Sequence, residues 1–322
     1  MTRATQRLTV DPDGIRAAAA LLRAGELVAF PTETVYGLGG DARNPDAVAE
    51  IYAAKGRPAH NPLIAHVPNT RAARSIAQFD ARAQASARAF WPGALTLVLP
   101  ALPESGLAPE MVPDGAGTVA IRVPAHPAAR RLLEAFGGPV AAPSANLSGR
   151  VSPTTAAHVL EELDGRIAAV LDGGACPVGV ESTILSLAGP NVRLLRSGGV
   201  SAEAIAEILG APVSEGLDEG VLTAPGQLAS HYAPNAQMRL NAKQRQRGEI
   251  WLGFGPESVG AELTLSAIGD VDEAAANLFA ALRLLDAKAD GRRIAVAPIP
   301  EKGIGKAIND RLRRAAAPRA RD

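Results

Sequence analysis

The sequence predicts an α/β protein: a large unit on a twisted mixed sheet, then a second, smaller α/β unit. Three observations carry that expectation. Short β-rich runs alternate with helically spaced segments from residue 27 to residue 209, the pattern of an α/β domain. Residues 211–236 hold three prolines and three glycines and no sustained period, which breaks the alternation. A fresh strand–helix–strand–helix pattern then fills residues 249–315. At roughly 100–200 residues per domain, 322 residues accommodate two domains, each able to bury its own core.

The elements follow from local pattern. Leu27–Phe30 reads as a buried strand. Residues 45–55 have helical spacing, with Asn44 as N-cap and Pro45 at the first helical position. Leu63–Val67 and Leu95–Leu99 are strands around a helix at 81–90. Further strands are expected at 119–123, 140–142, 168–171, 182–187 and 192–195, with helices at 128–136, 155–162 and 202–209. After the break come a strand at 249–254, a helix at 271–288, a strand at 293–298 and a helix at 305–315. The organisation expected is a first domain over 12–210, an ordered linker over 211–236 and a small α/β domain over 237–322.

Composition excludes several functions. Lys plus Arg number 33 against 33 Asp plus Glu, so no broad electrostatic grip on nucleic acid is indicated. Aromatics make up only 3%, against strong RNA stacking; any RNA contact is expected to be weak. The single Cys176 excludes a disulfide framework or a multi-cysteine zinc site. No run approaches the roughly 18 apolar residues of a membrane span, and Met1–Pro12 lacks the apolar stretch of a secretory signal. A cytoplasmic protein without membrane partners is expected.

Polar residues cluster in short Gly/Pro-bounded loops after strands, where ligands bind in open α/β sheets. The hydroxyls and Glu33 of Pro31-Thr-Glu-Thr-Val-Tyr-Gly-Leu-Gly-Gly40 could orient a small polar ligand, or the segment could be an ordinary turn. Lys55 and Arg57 suit a polyphosphate, although cations also favour a solvated helix C-terminus. His66 sits in a strand, where a lone histidine is more often structural. Arg122 alternates with Val119, Ile121 and Val123, which puts it on the opposite face of its strand; a carboxylate clamp and a plain polar face both fit. Ala141–Gly149 and Val151–Thr154 offer hydroxyls and amides for phosphates or for helix caps. Val180-Glu-Ser-Thr183 opens a strand and Arg196-Ser-Gly-Gly199 closes one. No Walker A, G-x-G-x-x-G, H-E-x-x-H or G-x-S-x-G sequence is present.

Taken in order, Pro31-Thr-Glu-Thr-Val-Tyr-Gly, Lys55-Gly-Arg-Pro, Asn61-Pro-Leu-Ile, Trp91-Pro-Gly-Ala-Leu-Thr, Ile121-Arg-Val-Pro, Ala142-Pro-Ser-Ala-Asn-Leu-Ser-Gly and Glu181-Ser-Thr resemble the YrdC-like threonylcarbamoyl-AMP synthases. The trailing small domain is similar to the long, two-domain branch. The resemblance implies a twisted mixed-sheet YrdC-like domain followed by a small Rossmann-like one. It implies a nucleotidyltransferase that makes threonylcarbamoyl-AMP and pyrophosphate from L-threonine, bicarbonate and ATP, for tRNA threonylcarbamoyladenosine modification. Thr34, His66, Arg122, Ala142 and Ser182 would hold threonine. Lys55, Arg57, Asn61, Thr118, Ser144, Asn146, Ser152, Arg196, His231 and Tyr232 would surround ATP, with Lys55 and Arg57 catalytic. Mg²⁺ would come on the triphosphate, with no metal site on the protein, and tRNA threonylcarbamoyl transferase proteins would take the product onward. The linker departs from the family pattern: Ala224-Pro-Gly-Gln-Leu-Ala-Ser-His-Tyr-Ala-Pro234 lacks the basic and aromatic residues usual before the histidine. The segment is expected to fold over the site as a lid.

Overall fold

A computed structural model describes residues 4–58, 61–113, 117–216 and 232–318. Eleven strands form the first sheet: β1 (Gln6–Thr9), β2 (Val28–Phe30), β3 (Gly37–Asp41), β4 (Ile64–His66), β5 (Leu95–Pro100), β6 (Thr118–Arg122), β7 (Val140–Ala141), β8 (Ala169–Asp172), β9 (Thr183–Ser186), β10 (Arg193–Arg196) and β11 (Ser214–Glu215). Their order is β1-β8-β2-β3-β7-β4-β6-β5-β9-β10-β11. Parallel pairs such as β4/β6 and β5/β9 mix with antiparallel ones such as β5/β6 and β9/β10. The sheet is mixed, as the sequence implied.

It also reaches past the 12–210 stretch at both ends. Strand β1 is mostly exposed and has no apolar run; pairing in parallel with the distant β8 makes it a strand. The Pro31–Gly40 segment differs too, because Gly37–Asp41 is a strand between β2 and β7 rather than loop. A Cβ on Gly39 would lie 2.9 Å from both the Phe30 and Val140 side chains. Glycine there lets these neighbours close over the backbone.

The helix Pro45–Lys55 begins as expected: Asn44 accepts from the Asp46 and Ala47 amides, with Pro45 in the first turn. Gly56, at φ 59°, ends it in a left-handed turn. Lys55 and Arg57, on either side of that turn, are buried at 2% and 8% exposure. The solvated-terminus reading of this pair is therefore wrong.

The second sheet is wholly parallel, β12 (Met238–Arg239), β13 (Glu249–Gly253), β14 (Leu263–Thr264) and β15 (Arg293–Val296), in the order β12-β15-β13-β14. Helices Val271–Ala289 and Gly305–Ala316 accompany it. Their apolar side chains serve two units at once: Leu278, Phe279, Ile308 and Leu312 share one buried cluster with Val35, Val151 and Val180 of the first unit. Arg283 reinforces the contact, donating to Glu161, Glu162 and the Val151 carbonyl. Most of the expected lid, including His231, lies outside the described residues; Tyr232 and Ala233 are buried.

At this junction Gly179 has φ +74° and meets the helix Val271–Ala289, where an added Cβ would fall 2.3 Å from the Ala275 carbonyl oxygen. Gly179→Ala combines left-handed strain with a backbone clash. Urea denaturation should show a loss of about 2 kcal/mol or more. A loss under about 0.5 kcal/mol, the size of an ordinary surface change, would mean the two units part freely.

Candidate active site

Three neighbouring strands build the floor of the site. Their register pairs His66 of β4 with Arg122 of β6, and Arg122 with Thr96 of β5. Paired residues on adjacent strands face the same way, so the three side chains form a row. On the other face, Val119, Ile121 and Val123 join the main core. The alternation read from the sequence is thus correct, but the Arg122 face is buried rather than solvated.

Above this row is a cavity of about 40 Å³. Its wall includes the expected Thr34, Arg57, His66, Arg122, Ala142, Ser144, Ser182, Arg196 and Tyr232, together with Thr32, Val35, Gly37, Ile64, Pro143 and Glu181. Lys55, Asn61, Thr118, Asn146 and Ser152 are buried but do not line it. Lys55 lies behind the loop after β7, its Nζ donating to the Ser144 carbonyl (2.6 Å) and the Asn146 carbonyl. Burial holds its pKa well below the usual lysine range, and the Arg57 charge lowers it further. Ser152 donates to Glu181 Oε1 at 2.5 Å. Asn61 Nδ2 and Asn146 Oδ1 are buried without partners among the described residues.

Each cationic group is fixed by an oxygen. Arg57 donates to the Asn61 and Pro62 carbonyls. Burial pulls its pKa down to about 10, which leaves it charged at neutral pH. Arg122 Nη2 donates to Glu33 Oε1 at 2.6 Å and Nε donates to the Gly93 carbonyl. Arg196 donates through Nε and Nη2 to the Ser182 carbonyl, and through Nη2 to Ser182 Oγ, which also bonds Thr96 Oγ1 at 2.7 Å. Burial would raise the pKa of Glu181, but Arg311, Arg196 and the Ser152 hydroxyl together hold it below the usual carboxylate range.

His66 is different in kind. Burial brings its pKa to about 3, with the Arg122 charge acting in the same direction. Its Nδ1 lies 3.2 Å from the Ile64 carbonyl; a carbonyl only accepts, so Nδ1 carries the proton and Nε2 keeps its lone pair. Cys176 is buried and its thiol is pushed up to about 12, so it stays protonated and inert.

The sequence offers Glu33 only as a group that orients a small polar ligand and gives Glu181 no role. Their partners explain why: Glu33 meets Arg122 across 89 positions, and Glu181 meets Arg311 across 130. No local spacing announces such pairs. Both carboxylates are engaged by guanidinium groups, and no group of three or more His, Cys, Asp or Glu side chains placed to hold a metal ion occurs among the described residues.

The fold and site define a YrdC-like domain with an appended C-terminal domain, gathering guanidinium and hydroxyl groups around one small cavity. A family model described as telomere recombination (Sua5/YciO/YrdC) matches residues 20–198, and one described as the threonylcarbamoyl-AMP synthase C-terminal domain matches 200–317. The threonylcarbamoyl-AMP synthase of Bacillus subtilis is 42% identical, covering 98% of this chain and 96% of that protein. That of Pyrococcus abyssi is 41% identical over 94% of each. The crystal structure of Pyrococcus abyssi Sua5 complexed with L-threonine superposes with a TM-score of 0.87 at 38% identity, covering 98% of each chain. The chain belongs to the threonylcarbamoyl-AMP synthase family.

The His66 geometry has a measurable consequence. With a folded pKa near 3 against an ordinary 6.5, the unfolded chain takes up the proton first as pH falls. Stability on this account is full above about pH 6.5 and declines progressively toward pH 3. His66→Gln should therefore lose less stability than wild type between pH 7.5 and 4.5, by on the order of 1–3 kcal/mol in urea unfolding. Identical acid losses would show that His66 titrates normally in the folded chain.

Proposed function

We propose that this chain is an L-threonylcarbamoyladenylate synthase, joining L-threonine, bicarbonate and ATP into threonylcarbamoyl-AMP and pyrophosphate for tRNA threonylcarbamoyladenosine modification. The observation that carries this is the buried row of His66, Arg122 and Thr96 beneath a cavity that also holds Arg57 and Arg196, in a chain matching threonylcarbamoyl-AMP synthases nearly end to end. The solved relative with L-threonine bound has the same two-domain fold.

The chemistry needs little from the protein beyond placement. Threonine's amine attacks the bicarbonate carbon and water leaves, giving a carbamate. A carbamate oxygen then attacks the α-phosphorus, and the bond to the β-phosphate breaks to release pyrophosphate. Neither step needs a covalent enzyme intermediate, so positioning and charge stabilisation can supply most of the rate. Arg122, steadied by Glu33, takes the threonine carboxylate. His66 Nε2 accepts a hydrogen bond from threonine; with a pKa near 3 it orients rather than acts as a general base, which works best near the operating pH. Thr34, Ala142 and Ser182 complete that subsite.

Arg57, Arg196, Ser144 and Tyr232 meet the nucleotide, with Asn61 and Asn146 offering the buried amide atoms that lack partners among the described residues. Thr118 and Ser152 support that wall; the resemblance would add His231, which lies outside the described residues. Lys55 acts on catalysis by holding the Ser144–Asn146 carbonyls in place. Mg²⁺ enters with ATP as part of the substrate. No helix among the described residues is long and apolar enough to cross a membrane; we place the reaction in the cytoplasm, with transferase proteins receiving the adenylate and only weak RNA contact.

Pyrophosphate release should require threonine, bicarbonate and ATP together; release with any one omitted would overturn the assignment. Arg122→Ala should raise the threonine KM at least about thirtyfold and leave ATP affinity within about threefold, whereas an equal loss of both would remove Arg122 from the threonine subsite. Arg57→Ala should lower kcat at saturating ATP, and Arg57→Lys should recover only part, since an ammonium cannot reproduce the two-point fork. Full activity in Arg57→Lys would show that point charge suffices.

A further inference from the structure

Glu181 lines the cavity of the first unit, yet a residue of the second unit holds it. Arg311, in the helix Gly305–Ala316, has no solvent exposure at all. Its Nε donates to Glu181 Oε2 at 2.7 Å, and its Nη1 donates to the Ser197 carbonyl at 2.9 Å and to Asp310. Its Nη2 has no hydrogen-bond partner among the described residues. The guanidinium lies over the Tyr232 ring, 5.2 Å from its centroid, while that ring stacks on Phe279. One side chain thus touches a cavity carboxylate, the segment following β10 and a cavity aromatic.

We propose that Arg311 is a positioning residue for the nucleotide subsite: by taking Glu181, it keeps that carboxylate from turning onto Arg196, and so preserves the positive field that receives the triphosphate. Glu181 has two oxygens; Ser152 takes one and Arg311 the other. Arg196 donates to Ser182 through Nε and Nη2. Without Arg311, a buried carboxylate would be left short of its partner charge, a costly state. Its nearest remedy is the neighbouring Arg196 guanidinium, whose attraction for phosphate would then fall. The small C-terminal unit is on this account part of the nucleotide site, acting through Glu181 and Tyr232.

The inference rests on the nucleotide assignment made above, so the test reads binding separately from turnover. Calorimetry of ATP and of L-threonine on the full chain would compare wild type with Arg311→Met, Arg311→Lys, Glu181→Gln and the double variant Glu181→Gln/Arg311→Met. Arg311→Met should weaken ATP at least about tenfold, the loss expected when a buried charge pair is broken, with threonine affinity within about threefold. Arg311→Lys should lie between. The double variant should bind ATP within about threefold of Glu181→Gln alone, because the Glu181 carboxylate that would turn onto Arg196 is gone in both. A merely structural Arg311 predicts the opposite: ATP and threonine weaken together, and removing the carboxylate rescues neither. Should Arg311→Met fail to fold, Glu181→Gln and the double variant carry the comparison; a tenfold difference in ATP affinity between them overturns the proposal. A wild-type chain that binds ATP but releases no pyrophosphate would sink the reaction assignment while leaving this comparison readable.

Discussion

Four guanidinium groups, those of Arg57, Arg122, Arg196 and Arg311, are buried around one small cavity, none more than 8% exposed. Desolvating a charge is costly unless oxygens surround it, and much of the architecture supplies those oxygens. The turn after Lys55 brings the Asn61 and Pro62 carbonyls to Arg57. The loop before β3 brings Glu33 to Arg122. The start of β9 brings Ser182 to Arg196, and Glu181 Oε2 meets Arg311 from a helix of the second unit. A cavity built this way is ready for anions before any arrives, which is how electrostatic preorganisation lowers a barrier.

The same constraint explains why some side chains expected to line the cavity are found behind its wall. Lys55 does not line the cavity; it braces the Ser144 and Asn146 carbonyls, and so sets where the hydroxyl and amide groups of that loop lie. Ser152 spends its hydroxyl on Glu181. Both are buried polar groups that must be hydrogen-bonded, and their partners carry the geometry of the site. His66 stays neutral for a related reason: burial disfavours its charged form, and Arg122 beside it in the row adds to that.

The two units are one machine in physical terms. Val35, Val151 and Val180 share a buried apolar cluster with the C-terminal helices, Arg283 reaches across to Glu161 and Glu162, and Tyr232 sits in both the cavity wall and that shared cluster. Apolar burial gives this junction its hold, and the ion pairs within it fix its register.

The sequence by itself determined the fold class, many of the helix starts, the division into a large and a small α/β unit and the family, through loops whose composition repeats a recognisable order. It did so because periodicity, caps and short motifs are local, within reach of a few neighbouring residues. Asn44 and Pro45 announce their helix, and the alternation around Arg122 gives its face. Tertiary structure decided the rest. Strand β1 exists only by pairing with β8, Gly37–Asp41 is a strand because β2 and β7 pair with it on either side, and Lys55 is buried where a helix end would ordinarily be wet. Glu33 and Glu181 acquire their roles from arginines far away in the chain, and Arg311 lies in a helix whose local pattern shows only an amphipathic surface. A charge pair forms through space, and its energy depends on burial and distance, neither of which a linear sequence records.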